Sequence, residues 1–301
     1  MYRESLGARD MYIGAKLYYI LKSMRPKQWT KNSFVFAGLI FSKSFFSIEL
    51  IIKSVYAFLL FSLVSGSVYL INDVIDRKKD MLHPRKCKRP IASGKLKPVE
   101  ALLSAGIVLA VSLVIAFTLD FKLFLILAGY ALMVSLYSII LKNVIILDVI
   151  IIAMGFVLRT IGGAVVIDVE ISPWLIECTT LLALFLALNK RKSELLVMSG
   201  DASKHRKILN QYTTELIDQM LGVVTSTTVI TYSLYTFNAG KTYYMMFTIP
   251  FVLYGIFRYQ YLAATTDLGG SPELALLKDK PLMIDIILWA ITSIIIVYKF
   301  Y

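Results

Sequence analysis

The sequence predicts an all-α polytopic membrane protein, and three observations carry that fold class. Several runs of about 20 residues are almost free of charge, the length that crosses about 30 Å of hydrocarbon. The runs are continuously apolar and do not alternate in short segments, so they read as helices and not as the strands of a barrel. Basic residues gather in alternate connections between the runs, as in loops retained on the cytoplasmic side. The 57% hydrophobic content and mean hydropathy of +0.70 agree.

The N-terminal stretch 1–24 is charged and aromatic, with no short apolar core followed by a small-residue cleavage site. It reads as a segment lying on the membrane surface and not as a cleavable signal. The rest of 1–301 reads as a single transmembrane domain. The first apolar run, 28–42, is short and suits a tilted or partly interfacial course. Run 48–71 contains "YAFLLFSLVSGSVYLI", which carries no charge. Runs 98–118 and 121–140 follow. Run 144–167 holds Asp148 near one end and Arg159 well inside. Run 172–190 leads directly into the charged stretch "LNKRKSELL", and 214–237, 242–262 and 282–299 complete the set.

With the N-terminus inside and alternating sides, most of the 32 Lys and Arg fall in 1–31, 77–97, Lys142, 190–207 and 258–280. Lys43, Lys53, Lys122, Lys241 and Lys299 are left outside, and Arg159 lies within a span. This partition predicts nine helices, N-terminus cytoplasmic, in a bacterial-type inner membrane. It also explains the net charge of +12 without nucleic acid, some of the excess meeting anionic lipid headgroups. Cys87 and Cys178 fall on opposite sides in this topology and read as free thiols, so neither a disulfide framework nor a zinc site is supported.

Directly after the charge-free run comes "NDVIDRKKD", residues 72–80. In a helix Asn72 or Asp73, Asp76 and Asp80 share one face, where bare carboxylates repel. A divalent cation relieves that repulsion. Mg²⁺ takes one or two carboxylates with waters and substrate phosphate oxygens, so the row suits a magnesium diphosphate. The plainer reading is a solvated helix end, its acids paired with Arg77, Lys78 and Lys79. The following loop, "HPRKCKRPIASGKLKP", offers Arg85, Lys86, Lys88, Arg89, Lys95 and Lys97 to phosphate oxygens, with Pro90 and Gly94 shaping a turn. His83 reads as structural. Arg159, roughly 25 Å from Asn143 along a helix, is too deep to touch a metal at the mouth and reads as structural, while Asp148, nearer the charged end, reads as a residue supporting the site from behind. Gly155, Gly162 and Gly163 read as points of close helix approach.

"NDVIDRKKD" with the adjoining "HPRKCKRPIASG" resembles the first aspartate-rich motif, NDxxDxxxD, and the loop that follows it in the UbiA superfamily of intramembrane prenyltransferases. "RPKQWTKN" (25–32), "YSIILKN" (137–143), "GFVLRTIGG" (155–163) and "GGSPELALLKDK" (269–280) are most similar to one branch, the decaprenyl-phosphate phosphoribosyltransferases. The resemblance extends over nearly the whole chain. It implies nine transmembrane helices around a central cavity open to the cytoplasmic side.

Superfamily members usually carry a second acidic motif, DxxxD, in the later cytoplasmic loop. Here Lys190, Arg191 and Glu194 stand where its aspartates are expected, the KRxxE pattern of the phosphoribosyltransferase branch. A basic pair cannot recruit a second cation but can contact an anion directly. The implied reaction moves 5-phosphoribose from phosphoribosyl diphosphate (PRPP) to a polyprenyl phosphate, giving a lipid-linked sugar precursor for cell-envelope polysaccharide. Asp73 and Asp76 are the implied catalytic acids. They hold Mg²⁺ together with Asn72 and Asp80. Lys27, Lys31, Asn72, Arg85, Arg89, Tyr137, Lys142, Lys190, Arg191 and Glu194 are the implied substrate-binding residues. Two alternatives stand beside this. One is prenyl transfer from a prenyl diphosphate to an aromatic acceptor, against which the missing DxxxD argues. The other is a transporter or lipid-binding membrane protein without catalysis, whose sign would be intramembrane acids and broken helices near the midplane, whereas here the acids cluster at the mouth. The sequence leaves a homo-oligomer open.

Overall fold

The computed structural model describes residues 14–41, 46–84, 86–197, 207–238 and 242–300, and among them there is no β-strand. The α-helices in chain order are α1 (residues 14–23), α2 (Ala37–Phe41), α3 (Ile48–Ile75), α4 (Arg77–Leu82), α5 (Pro98–Leu119), α6 (Phe121–Ile139), α7 (Leu147–Val166), α8 (Pro173–Val197), α9 (Thr214–Asn238), α10 (Ile249–Thr265), α11 (Pro272–Lys278) and α12 (Lys280–Phe300). Among the described residues five of these, α3, α5, α6, α7 and α12, are long and apolar enough to cross a membrane. Large apolar side chains on α5, including Val99, Leu103, Ile107, Val111 and Val114, point outward, as lipid-facing residues do.

The other expected runs are helical but differ in form. The expected span 28–42 is a 3₁₀ stretch, Pro26–Phe36, followed by the five-residue α2. Short polar side chains there compete for the backbone or reach neighbours: Thr30 Oγ1 donates to Lys27 O, and Asn32 Nδ2 donates to Ser62 Oγ at 2.9 Å. The expected span 242–262 divides into a 3₁₀ turn, Tyr243–Thr248, and the 17-residue α10. Helix α8 continues past its apolar part into Lys190, Arg191, Lys192 and Glu194.

By their contacts the residues fall into two compact units, 1–32 with 58–135, and 33–57 with 136–301. In the first, Met24, Leu70, Ile91, Leu96, Ala101 and Ala105 form a buried cluster on which Tyr19 and Ile20 of α1 pack. Gly66 makes room for Met24; a Cβ there would lie 2.7 Å from Met24 Cε. Helix α5 starts with Pro98 at its first turn and with the Glu100 carboxylate accepting the Lys97 N–H, both standard starting devices. Leu17, Tyr18 and Leu21 of α1 remain exposed.

In the second unit Gly163 of α7 lets the 3₁₀ backbone pass, since a Cβ there would stand 1.9 Å from Val35 O. The main core of this unit joins Val149, Phe185, Leu188, Ile208, Leu209, Tyr212 and Ile217 with residues of α10 to α12. Two buried polar sites in the helices of this unit find partners within the protein, as an apolar surrounding favours. Tyr232 Oη shares a hydrogen with Thr248 Oγ1 at 2.6 Å and accepts from Trp289 Nε1 at 2.8 Å. Arg159, 5% exposed, donates to Gly155 O at 2.7 Å and lies over the Phe156 ring, consistent with a structural role.

Candidate active site

The aspartate row is built where α3 passes into α4. Asp76 sits at the junction, yet the four-residue hydrogen-bond rhythm runs through it: Asp76 N donates to Asn72 O and Asp80 N to Asp76 O, each at 2.9 Å. Asn72, Asp76 and Asp80 therefore stack along one side, with Asp73 beside them. Asp73 and Asp80 are 2% and 3% exposed, and Asn72 and Asp76 are half-buried.

Buried carboxylates need counter-charge. Arg89 Nη1 lies 3.0 Å from Asp73 Oδ1 and 2.6 Å from Asp80 Oδ2, one nitrogen shared by two acids. Arg25 Nη2 makes a second ion pair with Asp73 Oδ1. Arg25 has a left-handed backbone, φ +57°, immediately ahead of Pro26, and its guanidinium lies 4.7 Å over the Tyr69 ring. Tyr69 Oη in turn donates to Gln28 Oε1, which also accepts from Lys31 Nζ at 3.2 Å. Arg89 is seated by a turned loop in which Pro90, Ile91 and Ala92 are buried, Leu96 N donates to Pro90 O, and Gly94 takes φ +78°. His83 closes α4 and its Nδ1 accepts from Lys86 N, a structural task. Lys27 is exposed, and Arg85 lies outside the described residues.

Among the described residues no three of His, Cys, Asp and Glu converge as a ready-made metal cage. Mg²⁺ asks for less: one or two carboxylates, the rest being waters and substrate phosphate. Asp73 and Asp80 already flank a single cationic nitrogen, with the oxygens of Asn72 and Asp76 on the same helical side. That donor set fits a magnesium held largely by a bound diphosphate.

The other sequence-marked residues gather in the second unit, around an ion pair that crosses 43 positions. Arg191 Nε donates to Asp148 Oδ2 at 2.6 Å, and the two side chains are 1% and 0% exposed. Arg191 Nη1 pairs with Glu194 Oε2 at 2.5 Å, and Nη2 lies 3.4 Å from Tyr137 Oη. The free oxygen of Asp148 accepts from Tyr212 Oη at 2.7 Å, and Tyr212 Oη accepts from Ile146 N at 2.9 Å. Burial, reinforced by the bond to Asp148, pushes the Tyr212 phenol above its usual range, so the oxygen keeps its proton at neutral pH. Lys142, on the 3₁₀ turn Leu141–Asn143, and Lys190 are half-buried.

The candidate residues thus divide by unit. Lys27, Lys31, Asn72, Asp73, Asp76, Asp80 and Arg89 belong to the first, and Tyr137, Lys142, Lys190, Arg191 and Glu194 to the second. Two participants, Arg25 and Tyr212, escaped the sequence reading of the site. Arg25 adjoins "PKQWTKN" and was masked by the many basic residues of the N-terminal segment. Asp148, by contrast, reads from the sequence as a supporting residue near the charged end. Tyr212 had no signal, since one tyrosine among 18 carries none.

Known proteins resemble this chain in both sequence and fold. A family model described as the UbiA prenyltransferase family matches residues 33–275. The decaprenyl-phosphate phosphoribosyltransferase of Mycolicibacterium smegmatis is 32% identical over 288 residues, covering 90% of this chain and 89% of that protein. The Corynebacterium glutamicum protein of the same name is 30% identical over 289 residues, covering 93% and 86%. A UbiA homolog from Archaeoglobus fulgidus, solved bound to DMAPP and Mg²⁺, matches with a TM-score of 0.70 at 20% identity over 94% of this chain and 99% of that one, a likeness of fold. With its apolar helices and this match across most of its length, the chain is a multi-pass membrane protein and belongs to the UbiA prenyltransferase family.

Proposed function

We propose that this enzyme transfers 5-phosphoribose from PRPP to a polyprenyl phosphate of the decaprenyl type. The products are diphosphate and polyprenyl-phosphoryl-5-phosphoribose, a lipid-linked precursor for cell-envelope polysaccharide. The observation that carries this reading is the second unit's charge arrangement. Where a prenyl-diphosphate enzyme needs a second acidic motif, Lys190, Arg191 and Glu194 stand, and the nearby buried acid, Asp148, is already neutralised by Arg191. The names of the relatives from M. smegmatis and C. glutamicum support the same chemistry.

Asp73 and Asp76, with Asn72 and Asp80, are the residues that would hold Mg²⁺, which supplies neutralisation of the charge growing on the departing diphosphate. Arg89 pairs with Asp73 and Asp80, and Arg25 with Asp73, which holds these acids in place, and the two forks suit diphosphate oxygens. The acceptor phosphate is already an oxyanion, so it needs orientation more than a general base. Its oxygen bonds to ribose C1 as the C1–O bond to diphosphate breaks, the electron pair leaving with diphosphate and C1 inverting. Lys27, Lys31, Arg85, Tyr137, Lys142 and Lys190 are candidates for the remaining phosphate contacts. Arg191 is a holder of Glu194 and Tyr137, being buried and bound on every side. The reading includes nine membrane-spanning segments, the N-terminus and the mouth of the substrate cavity on the cytoplasmic side of an inner membrane, and residues 1–24 at its surface.

The test is incubation of purified protein with PRPP, Mg²⁺ and polyprenyl phosphates of several lengths, with mass analysis of the lipid. A phosphoribosyl lipid is expected. Prenylated aromatics from geranylgeranyl diphosphate and an aromatic panel, with no phosphoribosyl lipid from PRPP, would replace this reading with aromatic prenylation.

A further inference from the structure

Ile146 precedes α7 with φ +69°. For a β-branched residue the left-handed region is a real outlier, and it persists only where the surroundings hold it. Two hydrogen bonds hold it here: Leu147 N donates to Ile145 O at 2.8 Å across the turn, and Ile146 N donates to Tyr212 Oη, 66 positions away, at 2.9 Å. The same hydroxyl donates to Asp148 Oδ1, and Asp148 Oδ2 accepts from Arg191 Nε. The Tyr212 ring is 4% exposed, packed in the core with Val149, Leu188 and Leu209, so the hydroxyl has little freedom to turn elsewhere.

One phenol oxygen therefore ties two stretches of chain together. On one side is the turn that carries Lys142, ending at the strained Ile146. On the other, through Asp148, is the end of α8 that carries Lys190, Arg191 and Glu194. We propose that Tyr212 is a positioning residue for the phosphate-bearing donor: through the Ile146 turn and Asp148 it sets the Lys142 and Arg191–Glu194 segments in register, without touching substrate itself. This rests on the phosphoribosyl-transfer reading above.

Tyr212→Phe keeps the ring and deletes the hydroxyl. Two measurements follow on the full chain in detergent. The first is KM for PRPP and for polyprenyl phosphate, each varied separately. The second is modification by phenylglyoxal, an arginine reagent, read at Arg191 by peptide mass. Tyr232→Phe, which deletes a buried hydroxyl bonded to Thr248 and Trp289, serves as the control for a purely structural loss. The expected result is a rise in KM for PRPP of about 10- to 100-fold, the range for small misplacements remote from the chemistry. KM for polyprenyl phosphate stays unchanged, and Arg191 goes from protected to reactive; Tyr232→Phe shows neither change. If wild type transfers phosphoribose and Tyr212→Phe keeps the wild-type KM for PRPP, or if Tyr232→Phe reproduces the effect, the positioning role is overturned while the reaction stands. If wild type makes no phosphoribosyl lipid, the reaction is wrong and Arg191 decides the tie by itself: equal protection in wild type and Tyr212→Phe overturns it, and new reactivity in the variant upholds it.

Discussion

Replacing Arg191 with methionine separates a buried structural cation from a solvent-facing phosphate ligand. The substitution preserves much of the side chain's length and removes its charge. Asp148, fully buried, then loses the Arg191 guanidinium and keeps the bond from Tyr212. Breaking a buried pair from one side costs about 3–5 kcal/mol, because the remaining charge is left uncompensated. Glu194 is 26% exposed and can turn to water, so its lost partner adds little. Asp148→Asn alone leaves Arg191 leaning on Glu194 and destabilises for the same reason. The double variant, Arg191→Met with Asp148→Asn, removes both charges and keeps an acceptor for Tyr212. It should regain much of the loss, giving a coupling energy of about 2–3 kcal/mol. The assay is reversible unfolding in mixed detergent micelles, followed by tryptophan fluorescence, on all four proteins. Phosphoribosyl transfer should stay low in the double variant although its stability returns, since the segment holding Glu194 and Tyr137 is no longer fixed. An Arg191→Met variant within about 1 kcal/mol of wild type, which is the scale of an exposed pair, would refute this reasoning. So would strict additivity in the double variant.

Asp73→Asn and Asp76→Asn should each lower turnover by about 100-fold or more while the protein remains extractable, the scale for losing a group that stabilises developing charge; wild-type turnover of either at saturating Mg²⁺ would reduce the row to a structural set of ion pairs with Arg25 and Arg89. Gly163→Ala should destabilise by about 1–3 kcal/mol or more, because the new methyl meets the Val35 backbone at 1.9 Å, whereas Gly66→Ala meets Met24 Cε at 2.7 Å, which can swing away, and Met24 Cβ at 2.9 Å, and should be milder. Unfolding in micelles ranks the two, and the reverse order would contradict the packing described. In a background with Cys87 and Cys178 replaced by serine, cysteines introduced at the exposed positions Lys88 and Asp168 report topology: an impermeant maleimide applied to intact cells should label 168 and spare 88, and the opposite pattern would invert the orientation.

Much of this protein is legible without coordinates because the signals are local. A charge-free run such as 48–71 declares a membrane helix through its own composition, and α3, α5, α6, α7 and α12 lie where the runs place them. The NDxxDxxxD spacing likewise predicts one helical face, and the hydrogen bonds from Asp76 to Asn72 and from Asp80 to Asp76 carry that face through the helix junction. The local form of 28–42 was less legible, because short polar side chains turned an apolar run into a 3₁₀ stretch. What only the tertiary structure decided is which charges meet. Arg25 reaches Asp73 across 48 positions, Arg191 reaches Asp148 across 43, and Tyr212 reaches Asp148 across 64. In the sequence Arg191 reads as a fork open to phosphate; folded, it is the counter-ion of a buried acid. The reason is energetic: a carboxylate taken out of water must find a cation or a donor wherever the fold brings one, and neither hydropathy nor helical spacing specifies that distant partner.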